Sequence, residues 1–244
     1  MRLGGSSNEG DNSYRLMNDD GNQGFDDRLG FIRKVYGIMC TQLTITAFMT
    51  LLPYLSEGFR LWIISHPGLA LACAVLGLAL SCGLFCIESL ARKVPANYIL
   101  MLFFTLCEAY TVTFVCAMVN DGLIVLQAAF MTAALSGGLT VYAVTTKRDF
   151  TMCGGLIWGI ATVMIVFSLF SIFFGRTMSL IYCTLGVIVF AIYLVFDTQL
   201  IVGGEGRYAH LNEEDYILGA IILYLDIINI FLYIIEILIR LKND

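Results

Sequence analysis

YILGAIILYLDIINIFLYIIEILI runs from Tyr216 to Ile239, 24 residues without a single Lys or Arg. A span of about 20 apolar residues crosses a bilayer as a helix. The stretch is too long for a strand and carries no proline to break it. It holds two acids, Asp226 near its middle and Glu236 near its end. An apolar helix with an acid at its centre belongs in a membrane and keeps that acid for a reason. Burying a charge at the bilayer centre costs at least about 2.5–3.5 kcal/mol.

Six further apolar stretches precede it, at 35–55, 69–89, 96–119, 123–144, 152–174 and 178–202, again with no Lys or Arg inside. The composition agrees. Of the 244 residues 59% are hydrophobic and 14% charged, against about 45–50% and about 25% in soluble domains. The predicted fold is all-α, a seven-span membrane bundle over 31–244. Residues 1–30 carry six acids, three arginines, six glycines and no proline. That composition cannot bury a core and reads as a disordered cytoplasmic tail. No cleaved signal peptide is expected, so the first span serves as a signal-anchor. The long links are 56–68 and 203–215.

Loop cations set the orientation. With the N-terminus in the cytoplasm, that side receives Arg28, Arg33, Lys34, Arg92, Lys93, Lys147, Arg148 and Arg207. The other receives Arg60, Arg176, Arg240 and Lys242. Eight against four favours that orientation, with the C-terminus outside if the last stretch crosses fully. A net charge of −5 and the absence of a basic run argue against nucleic acid as partner. Helix packing is expected through small residues: Ala128, Thr132, Ser136 and Thr140 in span four, Gly155 and Gly159 in span five. The eight cysteines form no C-x-x-C and read as packing residues.

The chemistry lies in the intramembrane acids Glu108, Asp197, Asp226 and Glu236. They have no basic partner within any span, so they face protons, cations or each other. Asp197 stands about five residues before the cytoplasmic end of span six, and Asp226 about ten after the start of span seven. Consecutive antiparallel helices are usually neighbours. Two carboxyls held together cannot both ionise easily and titrate as a unit. Such a pair is a proton-controlled latch and a candidate Ca²⁺ ligand, since Ca²⁺ takes carboxylate and carbonyl oxygens. Tyr193, at i−4 of Asp197, and Asn229, at i+3 of Asp226, support it, with Tyr233 at i+7. A polar clamp without transport is the competing reading. Glu108 reads as pore lining or as a protonated packing acid. His66 and His210 lie in loops, which leaves no intramembrane histidine as a base. GGEGR at 203–207 lacks the lysine of a phosphate loop. No enzymatic activity and no cofactor are expected.

FIRKVYGIM (31–39), NYILMLFFTLCEA (97–109), LQAAFMTAALSGGLTVYAVTTKRDF (126–150), YLVFDTQLI (193–201) and EEDYILGAIILYLDIINIFLYII (213–235) together resemble the transmembrane Bax-inhibitor-motif family. Within it they resemble the lifeguard and Golgi anti-apoptotic branch. The resemblance implies seven helices with span seven central, Ca²⁺ leak across endoplasmic-reticulum or Golgi membranes, and suppression of cell death. It implies a pH-sensing aspartate pair at Asp197 and Asp226. It also implies a basic residue at the cytoplasmic end of span two, Arg92 or Lys93, that exchanges partners with the pair. The chain departs from bacterial relatives, which carry a glutamate in mid span two and another early in span four. Here Ser81, Cys82 and Gln127 occupy those regions. The alternatives are a non-conducting scaffold acting on cell-death membrane proteins and a proton-coupled cation exchanger.

Overall fold

The computed structural model describes residues 8–87, 92–119, 121–171, 176–203 and 211–242. These are helical almost throughout. Helix α1 covers Asn8–Leu55, α2 Glu57–Ser65, α3 Pro67–Cys86, α4 Ala96–Met118 and α5 Gly122–Thr145. A short 3-10 turn, Thr151–Cys153, leads into α6 at Gly154–Ser171, followed by α7 at Arg176–Val202 and α8 at Tyr216–Lys242. Six segments are long and apolar enough to cross a membrane, in α1, α3, α4, α5, α7 and α8. The fifth apolar stretch of the sequence is helical as α6, but only Thr151–Met164 within it counts as an apolar helical run, and a short one.

Two features differ from the sequence expectation. The helix of α1 reaches back to Asn8, into the segment whose composition suggests a tail. The 56–68 link contains a helix of its own. Ser56 caps α2 by accepting from the Phe59 N–H, and Pro67 opens α3 at a position where its missing N–H is no loss.

α8 is the hub. In its most apolar window 61% of the residues are buried, against 22–33% in the other five segments. It packs against α1, α3, α4, α5 and α7, most extensively against α7. Ile217, Ile221, Tyr224, Ile230 and Ile235 are fully enclosed. The other helices turn large apolar side chains outward, such as Phe48, Leu126 and Phe130. A water-soluble protein does not tolerate so many; a hydrocarbon solvent favours them.

α8 also runs the full length of the bundle. Asp215, just before it, pairs with Arg92 near the start of α4. At the far end Lys242 pairs with Asp121, which follows α4 and caps α5. The Lys242 ammonium and the Leu123 N–H hold the Asp121 carboxyl below the usual aspartate range. A carboxyl so depressed stabilises the fold above its unfolded value and loses that contribution as pH falls through its folded one. The small difference in thermal stability between wild type and Lys242→Met is therefore expected near neutral pH. It should begin to shrink in acid below about pH 4 and vanish only below the lowered folded value, as a melting series in detergent would register.

Glycine marks the closest helix approaches, at positions other than those expected. A Cβ added at Gly155 or Gly159 would meet nothing within 4 Å, because both face outward. At Gly186 of α7 it would lie 2.7 Å from the Tyr233 ring of α8. Span four does behave as expected, with Ala128, Thr132 and Ser136 buried on one face. Gly186→Ala forces α7 and α8 apart and should cost about 1–3 kcal/mol. Adding Tyr233→Leu should restore part of it in the same melting assay.

Candidate functional site

The α7–α8 seam brings together the two aspartates that the sequence pairs. Asp226 is 5% exposed, Asp197 is half-buried, and their carboxyl groups lie within hydrogen-bonding reach of each other. No amide, hydroxyl or cation among the described residues donates to Asp226 Oδ2. Two ionised carboxylates in that position would repel with nothing between them. One proton held between the oxygens removes the repulsion and satisfies the buried atom.

Successive helical residues turn by about 100°, so Asp197, Thr198 and Gln199 face three different neighbours. Asp197 faces α8. Thr198, fully buried, faces Tyr36 of α1. Gln199, also fully buried, accepts from the Phe150 N–H (2.8 Å) and donates to the carbonyls of Arg148 (3.0 Å) and Ala143 (3.2 Å). One amide thereby fastens the end of α7 to the end of α5 and the loop after it. Gln199 has no role in the sequence expectation; its cue is a Gln in a largely apolar stretch.

A second missed residue is Arg28. Its guanidinium donates to the carbonyls of Leu200 (3.2 Å), Ile201 (2.5 Å), Val202 (3.2 Å) and Leu211 (2.6 Å). The last carbonyls of a helix lack partners within it, and a cation there also suits the helix dipole. Gly203 completes the cap with φ +61° and an N–H donated to the Gln199 carbonyl. A Cβ there would sit 2.6 Å from Arg28 Nη2. Asp197 therefore lies about one turn inside a helix end that is braced from two sides.

The other expected residues lie apart from the pair or only flank it. Arg92 grips Asp215 in two-pronged fashion (2.9 and 3.2 Å), with Glu214 at 3.8 Å. Asp226 is eleven residues further along, about 16 Å up the helix, beyond the reach of Arg92 in this arrangement. Lys93 is exposed. Tyr193 lies within electrostatic reach of both carboxyls, but its hydroxyl donates to the Ile157 carbonyl of α6 (2.8 Å). Asn229 donates back to the Leu225 carbonyl of its own helix (2.8 Å), and Tyr233 pairs with Tyr182 (3.1 Å). Glu108 lies over Gly77 of α3, where an added Cβ would come within 2.7 Å of Glu108 Oε1. Its electrostatic neighbour on α8 is Tyr224 rather than Asp226. Glu236 pairs with Arg240 one turn on. Among the described residues no group of three or more His, Cys, Asp and Glu gathers to hold a metal. Any Ca²⁺ at the pair would need carbonyl or water oxygens beside the two carboxylates.

A bundle that turns its apolar side chains outward and keeps a carboxyl pair within is a multi-pass membrane protein with an ionisable core. The chain belongs to the Bax inhibitor family: residues 28–244 match the profile Bax1-I, described as "Inhibitor of apoptosis-promoting Bax1". The match begins at Arg28, the residue that braces α7. Among curated relatives it is 35% identical over 217 residues to Protein LIFEGUARD 1 of Arabidopsis thaliana (86% of this chain, 89% of the relative). It is 34% identical over 212 residues to Protein lifeguard 4 of Mus musculus (86% and 85%). It is 33% identical over 212 residues to the Golgi anti-apoptotic protein of Vaccinia virus (strain Lister) (86% and 85%).

Proposed function

We propose that this protein is a pH-sensitive Ca²⁺ leak pathway of an endoplasmic-reticulum or Golgi membrane, and that it suppresses cell death by lowering stored calcium. The observation that carries the reading is the Asp197–Asp226 pair on the most extensively packed helix seam, with no cation among the described residues to neutralise it. A proton shared across that seam holds α7 to α8, and changing its occupancy changes how the two helices meet. Such a two-state element biased by protonation is what a pH gate requires. The names of the relatives support the anti-apoptotic part of the reading.

In this reading seven spans cross, α6 included, with the N-terminus in the cytoplasm. The end of the bundle that holds Arg28, Arg92 and Arg148 faces the cytoplasm; the end that holds Arg60 and Lys242 faces the lumen. Arg92 and Lys93 form the cytoplasmic latch, and Arg92 exchanges Asp215 for the pair when α7 and α8 separate. Ca²⁺ is cargo and meets the freed carboxylates on its way.

The test is Ca²⁺ entry into sealed liposomes carrying the purified full chain, measured at several pH values. Flux that depends on protein and pH supports the leak. Absence of flux at every pH from correctly folded protein overturns it and leaves a scaffold that acts through membrane partners. Stoichiometric proton counter-movement would make the protein an exchanger instead.

A further inference from the structure

α1 and α5 each pack against α8, and a crevice of about 380 Å³ remains between them. Its walls include Thr46 and Ala47 of α1, Val125, Thr132 and Ser136 of α5, and Phe231 of α8. Among the described residues no charged side chain lines it. Phe48 on α1 and Leu126 and Phe130 on α5, on the helices that flank it, are strongly exposed. The crevice is therefore bordered by surfaces suited to hydrocarbon.

Most hydroxyls on its wall are already satisfied. Thr46 donates to the Gln42 carbonyl or pairs with Tyr224, Thr132 donates to the Ala128 carbonyl, and Thr50 donates to the Ala47 carbonyl. Ser136 differs: it is 6% exposed, and its Oγ has no hydrogen-bond partner. A buried hydroxyl left unpaired is costly, more so in hydrocarbon, where water cannot supply the bond.

Three properties select the occupant. Ser136 stands fourteen residues into the 24-residue α5, about 21 Å along an axis of about 36 Å. The polar atom that meets it must lie deep in the bilayer, which a charged headgroup cannot do. An acyl chain could fill the space but would leave Ser136 unpaired. The volume falls in the range of about 300–1,000 Å³ that holds one small molecule. We propose that this crevice binds a neutral sterol-type lipid, with a rigid apolar body between α1 and α5 and its one hydroxyl hydrogen-bonded to Ser136 Oγ.

The test uses the full chain in phosphatidylcholine nanodiscs with a photoreactive sterol. Labelled peptides should map to α1 and α5, and excess cholesterol should compete while added phosphatidylcholine or an isoprenoid quinone should not. Ala47→Trp, which fills the crevice from an exposed position, should lower labelling about ten-fold. Ser136→Ala loses one neutral hydrogen bond and should weaken cholesterol competition about five-fold. Both variants are checked for wild-type melting. Labels that map elsewhere on the wild-type chain overturn the site. Equal labelling in folded variants overturns it too. Competition by phosphatidylcholine or quinone overturns the sterol. None of these readouts depends on calcium flux.

Discussion

Asp197→Asn with Asp226→Asn is expected to leave Ca²⁺ flux flat across pH 5–8, where wild type should change by about ten-fold for each pH unit through its transition. The wild-type slope follows from one proton: each 1.4 kcal/mol of differential interaction is a factor of ten in a two-state equilibrium. The amides keep size and hydrogen-bonding capacity but cannot lose a proton in this range. Asn also carries its own donor, so the place of Asp226 Oδ2, which no other described group supplies with a hydrogen bond, is taken by a group that needs no shared proton. The folded bundle should therefore survive and the pH response should not. Single substitutions should leave one carboxyl titrating alone, with the midpoint moved. A double variant that keeps the wild-type pH profile would remove the pair from the gate.

Arg28→Ala is expected to be among the most destabilising single changes outside the apolar core, at about 2–3 kcal/mol. Hydrogen bonds from a charged donor contribute about 1.5–3 kcal/mol each. Four are lost here, but water reaches this end of the bundle and replaces most of them. Arg28→Lys should recover less than half, because an ammonium is a point donor and cannot fork across four carbonyls. Gly203→Ala should approach the Arg28→Ala effect. Its φ of +61° disfavours any Cβ, and that Cβ would displace the guanidinium. Thermal unfolding in detergent checks all three. An Arg28→Ala protein that melts with wild type would show that the brace does not hold α7.

Much of this architecture is legible in the residues. Seven cation-free apolar stretches mark helices of the bundle, because the bilayer imposes length and composition together. Six hold segments long and apolar enough to cross, and their ends agree with the helix ends to within a few residues except at α1, which starts at Asn8. The Asp197–Asp226 pairing is legible because both acids are anomalous in their surroundings and their helices are consecutive. Arg28 is not legible: its partners are main-chain carbonyls, which carry no sequence signature, and it sits in a segment whose composition suggests a tail. Gln199 is visible as an oddity, but its three bonds run to backbone atoms of another segment. Arg92 is visible as a cation at a helix end; its choice of Asp215 depends on which acid lies level with it. The close approach at Gly186 depends on the opposing Tyr233, whereas Gly155 and Gly159 share the same small-residue pattern and face outward. Spacing reveals which faces are small, and only the assembled bundle reveals which of them meet another helix.

The position of α8 bears on how the protein is made. Ribosomes deliver the chain from its N-terminus, so the helix that touches five others is delivered after all of them. Until Tyr216–Lys242 enters the bilayer, α4 can pack on α1 and α3, and α5 on α7, but little joins those two groups. Joining the two groups therefore waits for α8, and a message truncated before Tyr216 yields membrane-inserted segments without a centre, a substrate for quality control rather than a weakened version of the protein.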